Sequence, residues 1–296
     1  MELGRQGRGA SPPARSSLFA LGVSPGPLPL DLLEEVDVLE RAGLVRRVDG
    51  GRGELVHRVF GEPDLLGLDD DERRQVHERL AARDEISPHL RGKYLLGAGR
   101  PAEAMDAALL AASGPVDRAE QADALLTAAT AAKQLHSTGH LATDELDPLL
   151  VAAARALNDS TRFVDADELM SGSDVLDGPH QVAALLEQLR SVIGEGDRER
   201  AARLVAERGA VIDAAEGMDG DRARALRNML MPWSSTRAEL RELAEAQLEA
   251  SASGAQRAQA AVLAGLSSYP VDVHEAMAWF QVAREEASSS GSLASE

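Results

Sequence analysis

Asp69, Asp70, Asp71 and Glu72 form a dense run of carboxylates. Hard oxygen donors in a row at the start of a helix could hold Mg²⁺. A helical magnesium enzyme of that kind needs a second acidic motif facing the first across an aromatic-lined cavity. The candidate for it is Asn158-Asp159-Ser160-Thr161, followed by Asp165, Asp167 and Glu168. Aromatic residues make up only 3% of the chain, which leaves little to stabilise a cationic intermediate. Capping is the stronger reading, because the same carboxylates meet the positive end of a helix dipole.

Other chemistries lack their residues. A phosphate-binding loop needs a lysine at fixed spacing after glycines. The two lysines are Lys93 and Lys133, and Gly92-Lys93 is followed by Tyr94 rather than Ser or Thr. Gly51-Arg52-Gly53 lacks the third glycine of a dinucleotide fingerprint and reads as a turn. His274-Glu275 has no second histidine four residues on, so it is not a zinc-protease motif. His57 and His77 read as structural histidines rather than a metal pair. With no cysteine, there are no disulfides, thiolate sites or sulfur nucleophile. The expectation is therefore no catalytic, cofactor-binding or metal-binding residue. A groove for a ligand or partner is expected around Tyr94, Met229, Trp233, Trp279 and Phe280, the larger apolar side chains of an Ala-rich array.

Composition sets the scaffold for these residues. The apolar fraction of 44% suffices for a core, and with so few aromatics it must be built from Ala, Leu and Val. Ala and Leu are the strongest helix formers, so an all-α chain is expected. The formal charge of −18 repels nucleic-acid phosphates, and direct nucleic-acid binding is not expected. No run of about 18 apolar residues is present, so neither membrane contact nor a leader segment is expected, and the cytoplasm is the simplest location.

Along the chain, residues 1–17 are rich in Gly, Arg, Ser and Pro and predict a disordered tail. Residues 18–62 predict a winged-helix-like unit. A short helix spans 18–23. A second carries Leu30, Leu33, Val36 and Leu39 on one face. Two short strands follow at 44–48 and 54–59, joined by Asp49-Gly50-Gly51-Arg52-Gly53, whose glycines supply the positive φ of a hairpin turn. Residues 63–287 predict helix after helix, with breaks such as Gly114-Pro115, Ser137-Thr138-Gly139 and Gly194-Glu195-Gly196. Helices of this length on short connections suggest a tetratricopeptide-like solenoid of irregular period. A disordered tail is expected at 288–296.

Residues 18–112 resemble the region that follows the ATPase core in large LuxR-type, MalT-like signal-transduction ATPase transcriptional regulators of the actinobacterial type. The likeness rests on Leu39-Glu40-Arg41-Ala42-Gly43-Leu44-Val45, which is similar to the helix leading into the wing. Val56-His57-Arg58 is similar to a motif after the wing, and the run from Glu72 to Ala81 to an Arg-rich helix carrying a His. Leu96-Gly97-Ala98-Gly99-Arg100-Pro101-Ala102-Glu103-Ala104 is similar to the turn of a first tetratricopeptide-like pair. The resemblance implies a winged-helix unit and a helical array without the ATPase core or the terminal helix-turn-helix, from a truncated, split or diverged member.

The function expected is a non-catalytic sensor and protein-interaction module of such a regulator, with a protein partner or a small-molecule inducer; self-association stays open. A free-standing helical scaffold is the alternative, and a magnesium enzyme using Asp69, Asp70, Asp71 and Glu72 a more distant one.

Overall fold

Ala- and Leu-rich segments bounded by Gly, Pro and Ser dictate a mostly helical chain, and the computed structural model has that character. It describes residues 10–84, 86–171, 180–217, 219–220, 222–224, 226–227, 237–250, 254–268 and 272–289. Two compact units are formed by residues 1–149 and 150–296.

The first unit opens with helix α1, Pro12–Val23. Ser11 caps it by accepting a bond from the Ala14 amide at 3.2 Å, and Pro12 fits the first turn, where no amide partner is needed. Residues 12–17 therefore correct the expected tail at 1–17; residues 1–9 lie outside the described residues. The reason is tertiary. Arg15 donates to the carbonyls of Leu66 and Gly67 at 3.0 and 3.1 Å, and buried Ser17 donates to the Glu34 carbonyl at 3.0 Å while accepting from its amide at 2.7 Å.

After α1 come strand β1 (Leu28–Pro29), a 3₁₀ turn (Leu30–Leu32) and helix α2 (Val36–Arg41). The expected single helix from Leu30 to Leu39 is thus broken. Leu28 pairs with Gly53, the Leu30 amide donates to the Gly51 carbonyl at 3.0 Å, and Glu35 turns the chain with φ of +54°. Strands β2 (Val45–Val48) and β3 (Arg52–Leu55) form an antiparallel hairpin with Val45 opposite Leu55 and Val48 opposite Arg52. Gly50 and Gly51 take φ of +80° and +69° at its turn. The sheet order is β1-β3-β2. The second strand is shorter than expected, because Arg58–Gly61 forms a 3₁₀ turn. There α1 crosses the chain backbone to backbone. A Cβ on Gly22 would lie 2.7 Å from the Gly61 Cα, and one on Gly61 would lie 2.4 Å from the Gly22 Cα.

Helices α3 (Pro63–Leu66), α4 (Asp70–Ala81), α5 (Pro88–Gly97), α6 (Pro101–Ala112) and α7 (Arg118–Ser137) follow, and α4 to α7 pack each on the next. Close approach of α5 and α6 depends on small residues: a Cβ on Gly92 would meet the Ala108 Cβ at 3.1 Å. One core runs through Leu18, Leu39, Leu66, Leu80, Tyr94 and Ala104, so residues on both sides of position 62 share it.

Helix α8 spans Thr143–Asp159. The second unit continues with α9 (Phe163–Met170), α10 (Gln181–Gly194), α11 (Arg198–Ala214), α12 (Arg237–Ala250), α13 (Gly254–Ser268) and α14 (Val273–Ser289). Successive packing joins α9 to α10, α10 to α11, α12 to α13 and α13 to α14. Leu185, Leu189, Val192, Ala201 and Ile212 form one cluster, and Ala244, Leu263 and Ala264 another. Helix α14 runs two residues into the expected tail at 288–296, and residues 290–296 lie outside the described residues.

Candidate functional site

Asp70, Arg73, Arg74 and His77 stand at spacings of three and four on α4, and so share one face of that helix. The helix is fixed at its start by a reciprocal cap. Asp69 Oδ1 accepts from the Glu72 amide at 2.8 Å, and Glu72 Oε2 accepts from the Asp69 amide at 3.0 Å. The shared face borders a cleft of about 480 Å³, completed by Phe19 of α1, Pro63, Leu96, Gly97 and Gly99 at the α5–α6 corner, and Gln134 of α7.

At the cleft wall lies the half-buried imidazole of His77. Its ring meets Phe19 edge to face at 5.4 Å and Tyr94 at 6.1 Å. Gly97 is its seat: a Cβ there would fall 2.6 Å from Cδ2 and Nε2 of the ring. Nδ1 is buried and has no hydrogen-bond partner. Burial pushes the His77 pKa below the usual histidine range, and the charge of Lys93 adds to the shift. Tyr94 beneath it is fully buried. Burial pushes the Tyr94 hydroxyl up, with a smaller opposing pull from Ser24. The Ser24 hydroxyl donates to the Gly26 carbonyl at 2.8 Å, and the Tyr94 oxygen is left without a hydrogen bond.

The two arginines are already engaged. Arg73 donates from Nε to the Leu68 carbonyl at 3.1 Å and reaches Asp64 at 3.4 Å. Arg74 donates to the Asp70 carbonyl at 3.3 Å and pairs with Asp71 at 2.9 Å. The cleft thus offers a neutral imidazole, an amide and an apolar floor, with its positive charges balanced nearby. That arrangement suits uptake of a small polar molecule. It assembles no nucleophile beside a base, the pairing that covalent catalysis requires.

In the second unit, α8 and α10 enclose a carboxylate. Glu187, 1% exposed, accepts from Arg155 Nε at 2.9 Å, Arg190 Nη1 at 2.8 Å and Asn158 Nδ2 at 3.1 Å. Ser191 donates to Asn158 Oδ1 at 3.0 Å, and Arg190 also reaches Asp159 at 2.6 Å. The Glu187 hydrogen bond leads the causes that raise the Arg155 pKa. For Arg190 burial pulls down, and the bonds to Asp159 and Glu187 outweigh it.

The residues picked out as a groove are placed otherwise. Tyr94 is interior and supports His77 from below instead of lining a groove, because α5 buries that face against α4 and α1. Met229 and Trp233 lie outside the described residues. Trp279 is half-buried against Ala244, Leu263 and Ala264. Phe280 lies over Gly265, where a Cβ would come within 2.6 Å of its ring. The acidic motifs are also engaged. Asp69 and Glu72 cap α4, Asp165 pairs with Arg162 at 2.6 Å, Asp167 with Arg200 at 2.7 Å, and Glu168 is exposed. His57 packs on Phe60 at 5.9 Å, away from the aromatic neighbours of His77. Among the described residues, no group of three His, Cys, Asp or Glu side chains is placed to hold a metal ion, and no helix is long and apolar enough to cross a membrane.

Phe19, Gly97 and Gln134 in the cleft, and Glu187 in the second unit, were not singled out by their sequence signals. The offsets of three, four and seven from Asp70 to Arg73, Arg74 and His77 on α4 could have marked the cleft's polar face. No family model matches the chain, and neither does any curated protein or solved structure.

Proposed function

We propose that the chain is a non-catalytic sensor and protein-interaction module, a winged-helix unit followed by a tetratricopeptide-like array, of the kind used by LuxR-type ATPase regulators. The order helix, short strand, helix, hairpin, with sheet order β1-β3-β2, supports the winged-helix reading. Successive packing of α4 through α7, each on the next, supports the array. An inducer would lodge in the cleft over His77, where the two parts meet.

One observation carries the non-DNA reading. In a winged helix, α2 would be the groove-facing element. Here it is six residues long and exposes Asp37 and Glu40. Arg47 on strand β2 donates from Nε to Glu40 at 2.9 Å and from Nη2 to Asp37. Arg47 is therefore held by α2, the neighbouring Arg46 pairs with Glu54 across the hairpin, and an acidic helix is repelled by a DNA backbone.

The test pairs two assays on the intact chain: fluorescence anisotropy with a labelled 30-base-pair duplex at low salt, and ATP turnover with Mg²⁺. The reading expects neither binding nor turnover. Duplex binding lost in Arg47→Ala would overturn the assignment of the wing, and turnover would overturn the non-catalytic part.

A further inference from the structure

We propose that His77 is a proton-sensitive joint between the winged-helix part of the first unit and its first helical pair. It holds the two together as a neutral ring and releases them as an imidazolium. The idea goes beyond the function above and holds whatever the cleft binds.

The geometry supplies the argument. The ring belongs to α4, touches Phe19 on α1, and rests on Tyr94 and Gly97 of α5. One side chain thus ties the consecutive helices α4 and α5 to the distant α1. A neutral imidazole needs only one donor, whereas an imidazolium donates from both nitrogens. Nδ1 is buried with no acceptor, so protonation would place an unpartnered N–H inside the protein. The charge of Lys93 opposes the proton as well. On α4, Arg73 and Arg74, one turn away, are paired with Asp64 and Asp71, and Asp70, two turns away, is exposed. From α5 come Lys93, which acts on His77 directly, and the neutral Tyr94 hydroxyl. Phe19 of α1, Gln134 of α7 and the glycine corner bring no charge.

Since the folded state holds His77 below its ordinary value, the joint is intact above about pH 6.5, where both forms are neutral. Its contribution is lost as pH falls from there through the folded-state pKa. The relaxed state is one in which the ring has left its seat on Gly97 and α4 has loosened from α5.

The experiment follows the imidazole shifts of the intact chain by NMR from pH 7.5 to 5. In parallel, amide protection of α4 and α5 is measured in wild type and in His77→Gln, corrected for intrinsic exchange. We expect His77 to titrate below the ordinary histidine value. Protection should fall several-fold on acidification in wild type and stay nearly level in the variant. A His77 that titrates at or above the ordinary histidine value, or equal pH profiles in the two proteins, overturns the proposal. Should His77→Gln fail to fold, Gly97→Ala serves. Its Cβ blocks the seat, so α4 and α5 should already be loosened at pH 7.5 and change little further; a wild-type pH profile in Gly97→Ala likewise overturns the joint.

Discussion

His77 in the first unit and Glu187 in the second pose the same problem, a polar side chain between packed helices, and the molecule answers it in opposite ways. Both oxygens of Glu187 are bonded, by two arginines and an asparagine, and the asparagine is itself held by Ser191. Nδ1 of His77 and the hydroxyl of Tyr94 below it have no partner. A fully satisfied buried charge is a rigid element, costly only when a partner is removed. An orphaned neutral group imposes a standing cost and changes the balance when it ionises. The comparison teaches that burial alone does not separate a structural polar residue from a responsive one. The count of hydrogen-bond partners does.

The comparison breaks most visibly if its rigid side proves soft. The double variant Arg155→Ala with Arg190→Ala leaves the Glu187 carboxylate buried and largely unbalanced, and should cost about 3–5 kcal/mol. Urea unfolding followed by tryptophan emission reads this, since Trp233 and Trp279 both belong to the second unit. Adding Glu187→Gln should recover part of the loss; no recovery would mean that the arginines act through packing. Next in size is Gly97→Ala, which drives a methyl into the imidazole and should cost about 1–3 kcal/mol in denaturant titration followed by circular dichroism. A smaller and opposite effect is expected for Tyr94→Phe. It removes an unpartnered hydroxyl and should leave stability equal or raise it by up to about 1 kcal/mol in the same titration. A clear loss there would reveal a bond to that oxygen. The exposed pairs of Arg47 calibrate the lower end, and Arg47→Ala should leave the unfolding midpoint unchanged in the same titration.

Local signals in the sequence carried much of the fold. Gly114-Pro115, Ser137-Thr138-Gly139 and Gly194-Glu195-Gly196 stand at the ends of α6, α7 and α10, and Asp49-Gly50-Gly51 marked the hairpin turn. The misses share a cause. Helix α1 begins at Pro12 because Arg15 finds carbonyls some fifty residues away, and no local pattern encodes that contact. The helix expected from Leu30 to Leu39 is interrupted because Leu28 and Leu30 are drawn into pairing with the hairpin, a long-range competitor that outweighs an apolar stripe. The cleft was half legible. The spacing of Asp70, Arg73, Arg74 and His77 on α4 is visible in the sequence. That His77 would rest on Gly97, twenty residues later, follows only from how α4 meets α5. Asn158 and Asp159 drew attention as ligands, but their partners Glu187 and Arg190 lie on another helix and turn them into structural residues.

The contact between Gly22 and Gly61 also sets a rule of inheritance. Each glycine blocks any side chain on the other, and neither can shrink to make room for a change opposite. No pair of single steps leads away from this arrangement unless the crossing of α1 over the 3₁₀ turn is rebuilt. Descendants that keep the crossing must keep both glycines together. The pair, thirty-nine positions apart, is therefore a marker by which distant kin of this chain could be recognised when overall sequence likeness has faded.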